Sequence, residues 1–419
     1  MAIVKVTSKG VGVARHLITK TRAASTSTVT AQAAATHSLP PGFTAQIGKL
    51  ETFSLPEKVS GSVCDKAIAD AMISAWRRDG ILQIDMSKAQ RRLYQAANAA
   101  SRRFFSRPYV QKQACVDDMS YSGYIASGEE ITDGVADYSE IFTVTKDLPH
   151  TDKRVAQGWP CHGPCPWPDQ SMKNVMNSYM NDLAVSGEKL LQLIEMGLDV
   201  PTGSLTRYTD DGWHHMRILR FPQRDRTNGK GKNGRGIGSH TDYGLLVIAA
   251  QDDVGGLFVR PPRQDEQFAN WEKTSAGLRE NDAGWVYVPP TAGTFTVFPG
   301  KRPNALIRRS IGSHIFSSGD MMQYMTNNFL KSTPHKVGLN VRERFAFAYF
   351  HEPNFRSVIK PLPGYNAGQS PMGGIHYGTH FTNMFLRNYP DRVTTARLRE
   401  EGRYHLLGSE QLRDENDML

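Results

Sequence analysis

The stretch GIGSHTDYGLL, residues 236–246, puts a histidine two residues before an aspartate at the mouth of an apolar run. Residues i and i+2 at a strand edge point to the same side, so His240 and Asp242 can converge on one ion. The same tripeptide occurs at His150-Thr151-Asp152, inside the polar stretch KDLPHTDKRVAQG. Nothing there holds two side chains rigidly, so His150 and Asp152 read as a solvated loop. The copy that leads straight into YGLLVIAA reads as a pair of metal ligands.

A third ligand must come from another strand. His335 in STPHKVGLNVRERFAFAYF precedes one strand-like run, and Arg344 opens the next. Two histidines and one carboxylate form the facial triad of non-haem Fe(II) oxygenases, which leaves coordination positions open for a 2-oxo acid and O2. An arginine inside a barrel can hold the far carboxylate of 2-oxoglutarate in a two-pronged salt bridge.

Working outward, the 419-residue chain is 39% hydrophobic and 22% charged, the composition of a soluble globular protein. No window approaches the ~18 apolar residues of a membrane span. Four cysteines (Cys64, Cys115, Cys161, Cys165) argue against a disulfide scaffold and for a reducing compartment, so a cytoplasmic location is expected. The formal charge of +9 is concentrated: residues 1–50 hold six Lys or Arg and residues 301–319 four, with no acid in either segment. The remainder carries −1, so neither nucleic acid nor membrane is an expected partner. Residues 1–45, rich in Ser, Thr, Ala and basic side chains, suit a mitochondrial presequence or a disordered tail.

Order begins near Leu50. Asp65 can cap a helix with Ile68, Met72, Ala75 and Trp76 on one face, ending at Gly80. A short strand, Ile81 to Ile84, follows. A second helix carries Met172, Val175, Met176, Tyr179, Met180 and Leu183 towards Gly197, its methionines packing a core. From His214 the chain turns to β-type runs: HMRILRF, YGLLVIAA, GLFVR, WVYV, TFTVF, MMQYMT and RFAFAYF. Their irregular spacing favours an antiparallel sandwich or barrel. His214 and His215 alternate across a strand, so at most one can face a cavity. The cluster CHGPC, residues 161–165, reads as a structural turn rather than a zinc site.

Beyond the triad, YSGYIASGEEIT, GWPCHGPCPWP, DGWHHMRILRFP and IHYGTHFTNMFLRNYPDR resemble the 2-oxoglutarate/Fe(II) dioxygenase superfamily, and within it the ethylene-forming subgroup. The resemblance runs through most of residues 50–400. It implies a mostly β fold: a double-stranded β-helix (jelly-roll, cupin-like) core over 206–400, preceded by an N-terminal helical and substrate-lid region over 46–205, with 401–419 as a tail. It implies Fe(II) on His240, Asp242 and His335, and 2-oxoglutarate held by Arg344 with Arg217 and Phe221 beside it. It also implies an L-arginine site at Glu130, Ile131, Thr132, Tyr243 and Arg387. Where the superfamily commonly reads Arg-x-Ser, this chain has Arg344-Phe345-Ala346, as the subgroup does.

The implied reaction converts 2-oxoglutarate to ethylene and CO2, in competition with hydroxylation of L-arginine and formation of succinate. Ascorbate would support activity, and the expected enzyme is a monomer acting on small molecules (2-oxoglutarate, O2, L-arginine). The alternatives are a hydroxylase of another small molecule that makes only succinate, and a non-catalytic β-helix protein. The second is raised by residues 301–319. The family passes directly from Phe-Pro-Gly to Asp, whereas here 19 residues intervene. They read as a retained intron or a genuine loop, with Phe298 and Met322 expected in adjoining strands.

Overall fold

Two short strands, β1 (Gln46–Ile47) and β2 (Thr52–Phe53), precede the first helix, α1 (Val63–Asp79). Its N-cap is Ser62, whose hydroxyl accepts the Asp65 N–H at 3.1 Å while the Asp65 carboxylate accepts the Ser62 N–H at 3.1 Å. Asp65, expected as the cap, is instead the third helical residue of a capping box. Gly80, at φ 78°, ends the helix as expected. Strand β3 (Leu82–Asp85) follows, then α2 (Lys88–Phe105), which the sequence reading did not anticipate. A second capping box, Ser87 with Gln90, starts it, and Ala97, Ala100 and Phe104 form its buried stripe.

Next come α3 (Tyr109–Gln113), β4 (Gly123–Ile125), a small hairpin of β5 (Ile131–Thr132) and β6 (Val135–Ala136), β7 (Glu140–Val144) and α4 (Lys153–Ala156). The long helix α5 (Gln170–Gly197) buries Met172, Met176, Tyr179 and Leu183 along one side. The computed structural model describes residues 39–229, 232–261, 280–298, 321–365 and 374–403. The segments 1–38, 301–319 and 404–419 singled out above lie outside the described residues.

The second half supplies β8 (His215–Phe221), β9 (Arg235–His240), β10 (Leu246–Gln251), β11 (Leu257–Val259), β12 (Val286–Val288) and β13 (Thr294–Phe298). After α6 (Met321–Met325) come β14 (His335–Gly338), β15 (Arg344–His351), β16 (Val358–Ile359), β17 (Ile375–His376), α7 (Tyr377–Asn388) and α8 (Val393–Glu400). One sheet runs β1-β12-β11-β14-β9, the other β2-β3-β13-β10-β15-β8-β7-β4. Apart from the short parallel pairs β1–β12 and β2–β3, the ladders are antiparallel, as a double-stranded β-helix requires. Strands from residues 46–205 form both ends of the larger sheet, so that region is more than a helical lid.

MMQYMT, read as a strand, is the helix α6. Every residue from Met321 to Met325 is buried, Gln323 included, and a run buried all round carries no period to separate strand from helix. Phe298 and Met322 therefore do not lie in adjoining strands.

Strand β15 shows how the core positions the site. Its odd residues face the helices: Phe345 meets Phe105 of α2 at 6.3 Å, and Phe347 meets Tyr94 and Tyr179 at 6.0 and 5.3 Å between ring centroids. The even residues point the other way. Across the ladder to β8, Arg344 lies opposite Phe221, Ala348 opposite Arg217, and Phe350 opposite His215. Two alanines on this inner face, Ala346 and Ala348, leave room where large side chains come from the neighbouring strand.

Candidate metal centre and active-site cavity

His240 ends β9 and His335 begins β14, and the two are direct partners in the β9–β14 ladder. Their rings are 4.2 Å apart between centroids. Asp242, two residues past His240, turns back between them, with Oδ1 3.8 Å from His240 Nε2 and Oδ2 3.6 Å from His335 Nε2. A metal with bonds of about 2.1 Å brings neighbouring ligand atoms to roughly 3 Å, so a closure of under about 1 Å would chelate an ion.

The tautomers are fixed from behind. His240 donates Nδ1–H to Gly238 O at 2.8 Å, and His335 donates to Thr333 O at 3.0 Å. Both Nε2 lone pairs therefore face Asp242. Burial, reinforced by the neighbouring His335, pushes the His240 pKa down to about 3, which keeps that ring a neutral donor.

Among the described residues a second His/acid group, Glu188, His214 and His351, also gathers its atoms within 4.8 Å. It is not built for a metal. His214 Nδ1 accepts the Glu352 N–H at 2.9 Å, which places the ring proton on Nε2. The His214 and His351 rings stack 4.2 Å apart and only 11° from parallel, so no point within bonding distance lies in both ring planes. Nor is the first His-Thr-Asp a ligand pair. Asp152 caps α4 through the Arg154 N–H (2.9 Å) and pairs with the Arg154 side chain, and His150 is exposed. In CHGPC, Cys161 adopts φ 63° in a buried turn.

Arg344 is buried, with its guanidinium over the Phe221 ring at 4.8 Å. Gln251 Oε1, a neutral acceptor, lies 3.2 Å from Nη2, and the buried Nε has no partner. Desolvation lowers its pKa, although nearby Asp252 opposes the shift. Asp252 is itself occupied by the N–H groups of Val254 and Phe345. A desolvated guanidinium with spare donors fits a carboxylate ligand such as the end of a dicarboxylic oxo acid.

A cavity opens on His240 and Asp242. Glu130, Thr132, Arg217 and Tyr243 border it. Ile131 is half-buried outside its wall, and exposed Arg387 sits over the Tyr243 ring at 5.9 Å. The structure brings Glu130 and Arg217 together: Arg217 Nη2 donates to Glu130 Oε2 at 2.5 Å, and Tyr389 donates to Oε1 at 2.7 Å. His215 faces the cavity while His214 stacks on His351, the alternation expected.

Several wall residues escaped the sequence reading. Tyr377, Phe381, Met384 and Asn388 line the cavity from α7 at i, i+4, i+7 and i+11, a helical stripe that was legible in YGTHFTNMFLRN. Asp137 had no such signal. Buried, it accepts from Arg235 Nε (2.9 Å), Gly238 N (3.0 Å) and Thr132 Oγ1 (2.6 Å), tying the β5–β6 hairpin to the strand that carries His240. Glu352 also lies against the site. Its carboxylate accepts the Leu245 N–H at 3.1 Å, and burial pushes its pKa up to about 8.

An antiparallel β-helix holding two histidines and an aspartate at the end of paired strands defines a non-haem oxygenase. Residues 213–353 match the 2OG-Fe(II) oxygenase superfamily, and residues 51–170 match the N-terminal region of non-haem dioxygenases in morphine synthesis. The chain belongs to the 2OG-Fe(II) oxygenase superfamily and is a 2-oxoglutarate-dependent dioxygenase. It is 50% identical over 357 residues, 84% of this chain and 96% of the relative, to the 2-oxoglutarate-dependent ethylene/succinate-forming enzyme of Ralstonia nicotianae. It is 27% identical over 302 residues, 69% of this chain and 80% of the relative, to homoarginine-6-hydroxylase 2-ODD-C23.1 of Arabidopsis thaliana. Its fold is shared with Neurospora crassa T7H in complex with alpha-KG and thymine, at a TM-score of 0.61 and 20% identity over 81% of this chain and 97% of the other. Among the described residues no helix is long and apolar enough to cross a membrane.

Proposed function

We propose that the protein converts 2-oxoglutarate to ethylene and CO2 and, in a competing reaction, hydroxylates L-arginine while forming succinate. The carrying observation is the buried Glu130 carboxylate, set in the cavity that reaches His240 and Asp242 and already engaged with a guanidinium. The Ralstonia relative is named for ethylene and succinate, and the Arabidopsis relative for a guanidino amino acid.

In this reading His240, Asp242 and His335 hold Fe(II), which with the oxo acid bound supplies O2 activation. Arg344, braced on Phe221, pairs with the distal carboxylate of 2-oxoglutarate, and Arg217 borders the same space. Glu130 takes the substrate guanidinium, Ile131, Thr132 and Tyr243 shape its channel, and Arg387 at the rim meets the amino-acid carboxylate. A hydroxylase of another small molecule, making only succinate, is the second reading. The observation favouring it is that Arg217 already occupies Glu130.

Headspace gas analysis with Fe(II), 2-oxoglutarate, ascorbate and L-arginine, with succinate quantified in parallel, tests both. Ethylene that depends on L-arginine is the expected result. Succinate without ethylene at any arginine concentration would favour the second reading. Metal titration tests the centre itself: His240→Ala and His335→Ala should lose Fe(II), and His150→Ala should retain it.

A further inference from the structure

Glu130 and Arg217 stand 87 positions apart in the sequence and meet inside the cavity, with side chains only 6% and 13% exposed. Their contact runs through a single prong, Arg217 Nη2 to Glu130 Oε2. Arg217 Nε is buried with no acceptor, so the guanidinium does not use its two-pronged capacity on this acid. Glu130, by contrast, is served on both oxygens, because Tyr389 donates to Oε1. The acid is satisfied and its cation is not.

A substrate arginine carries the same head group as Arg217. For a buried carboxylate, trading one guanidinium for another keeps the charge compensated throughout, whereas an empty acid pocket would strand an unpaired ion. Arg217 also lies opposite Ala348 in the β8–β15 ladder, where a methyl group rather than a bulky side chain faces it. It shares the cavity wall with His240 and Asp242.

We propose that Arg217 is an internal surrogate for the substrate guanidinium: incoming arginine displaces it from Glu130, and the released side chain becomes available to an anionic ligand in the same cavity. This rests on the arginine reading above. Arginine and 2-oxoglutarate should then strengthen each other's binding, and linkage requires the two effects to be equal. The assignment makes Arg217 a specificity-determining residue, because a ligand must out-compete a built-in guanidinium to reach Glu130.

Calorimetry on the full chain loaded with Zn(II), which is redox-inert and diamagnetic, tests this with L-arginine and no oxo acid. Arg217→Ala removes the competitor and should bind arginine about tenfold or more tighter than wild type, with Arg217→Lys in between. If Arg217→Ala does not fold, Arg217→Lys carries the comparison. Affinities equal to or weaker than wild type would overturn the exchange.

Removing a positive charge could itself favour a cation, so a second readout is required. In wild-type protein with 15N-labelled arginines, the Arg217 side-chain N–H resonances, assigned by their loss in Arg217→Lys, should shift when unlabelled L-arginine binds. Binding without any shift overturns the exchange and leaves the arginine reading intact. No arginine binding by wild type, with or without 2-oxoglutarate, overturns both.

Discussion

A buried guanidinium whose nearest acceptor is the neutral Gln251 amide oxygen, as at Arg344, has much to gain from a carboxylate. Replacing Arg344 with Ala would leave a bound dicarboxylate desolvated without its partner, a loss of roughly 2 to 5 kcal/mol, or about 30- to several thousand-fold in 2-oxoglutarate affinity. Calorimetric affinity within threefold of wild type would remove Arg344 from the site. His162 makes a different prediction. Its ring stacks on Trp213 at 4.1 Å, Nδ1 donates to Pro160 O at 2.7 Å, and the buried Nε2 has no partner. Burial pushes its pKa down to about 3. Below its ordinary value of 6.5 the unfolded chain takes up a proton that the folded chain refuses. The neutral ring's contribution is therefore complete above pH 6.5 and is lost as pH falls towards 3, at up to about 1.4 kcal/mol per pH unit. The melting temperature of wild type should drop relative to His162→Phe as pH is lowered from 6.5 to 4.5. A constant difference between the two proteins would show that His162 titrates normally.

At the scale of elements, α5 lies against the larger sheet through Gly187, where an added Cβ would come 2.4 Å from His351 Nδ1. Gly→Ala in an exposed helix interior gains about 1 kcal/mol. Here overpacking, at roughly 1 to 3 kcal/mol, outweighs that gain. Gly187→Ala should melt below wild type, and a higher melting temperature would mean that α5 can shift off the ring without cost. The N-terminus of α1 offers the converse, a purely local device: Ser62→Ala should cost about 1 kcal/mol of stability, measurable by denaturant unfolding, and leave 2-oxoglutarate binding unchanged. Elements with such local signatures were legible. The stripes of α1 and α5 and the runs of β8, β10, β13 and β15 could be read from period and bounding residues. α2 was missed although Ser87 and Gln90 signal its start, and α6 was misread because five consecutive buried residues show no face.

Across the whole molecule, the candidate centre joins two strands whose ligands lie 95 residues apart, so ion binding should stabilise the fold as one unit. At 100 times its Kd, a ligand of the native state adds ~2.7 kcal/mol. Mn(II) with 2-oxoglutarate should raise the melting temperature of wild type and leave that of His335→Ala unchanged. An equal rise in both would place the metal elsewhere. What the sequence determined alone is what depends on near neighbours. The His-x-Asp spacing before an apolar run marks His240 and Asp242 as a pair, although Asp242 reaches His240 through the turn after β9 rather than by alternation within a strand, and the capping boxes and helical stripes mark where segments begin and which face is buried. The two His-Thr-Asp copies differ in their surroundings for the same reason, although the first, expected as a solvated loop, in fact has Asp152 capping the short helix α4. Only the tertiary structure decided which strand carries His335 to His240, that Asp137 ties the β5–β6 hairpin to β9, and that Glu130 meets Arg217 rather than open space. Those pairings follow from strand order and register, which are set by burying both sheets' apolar faces together, and no local stretch of the chain encodes that sum.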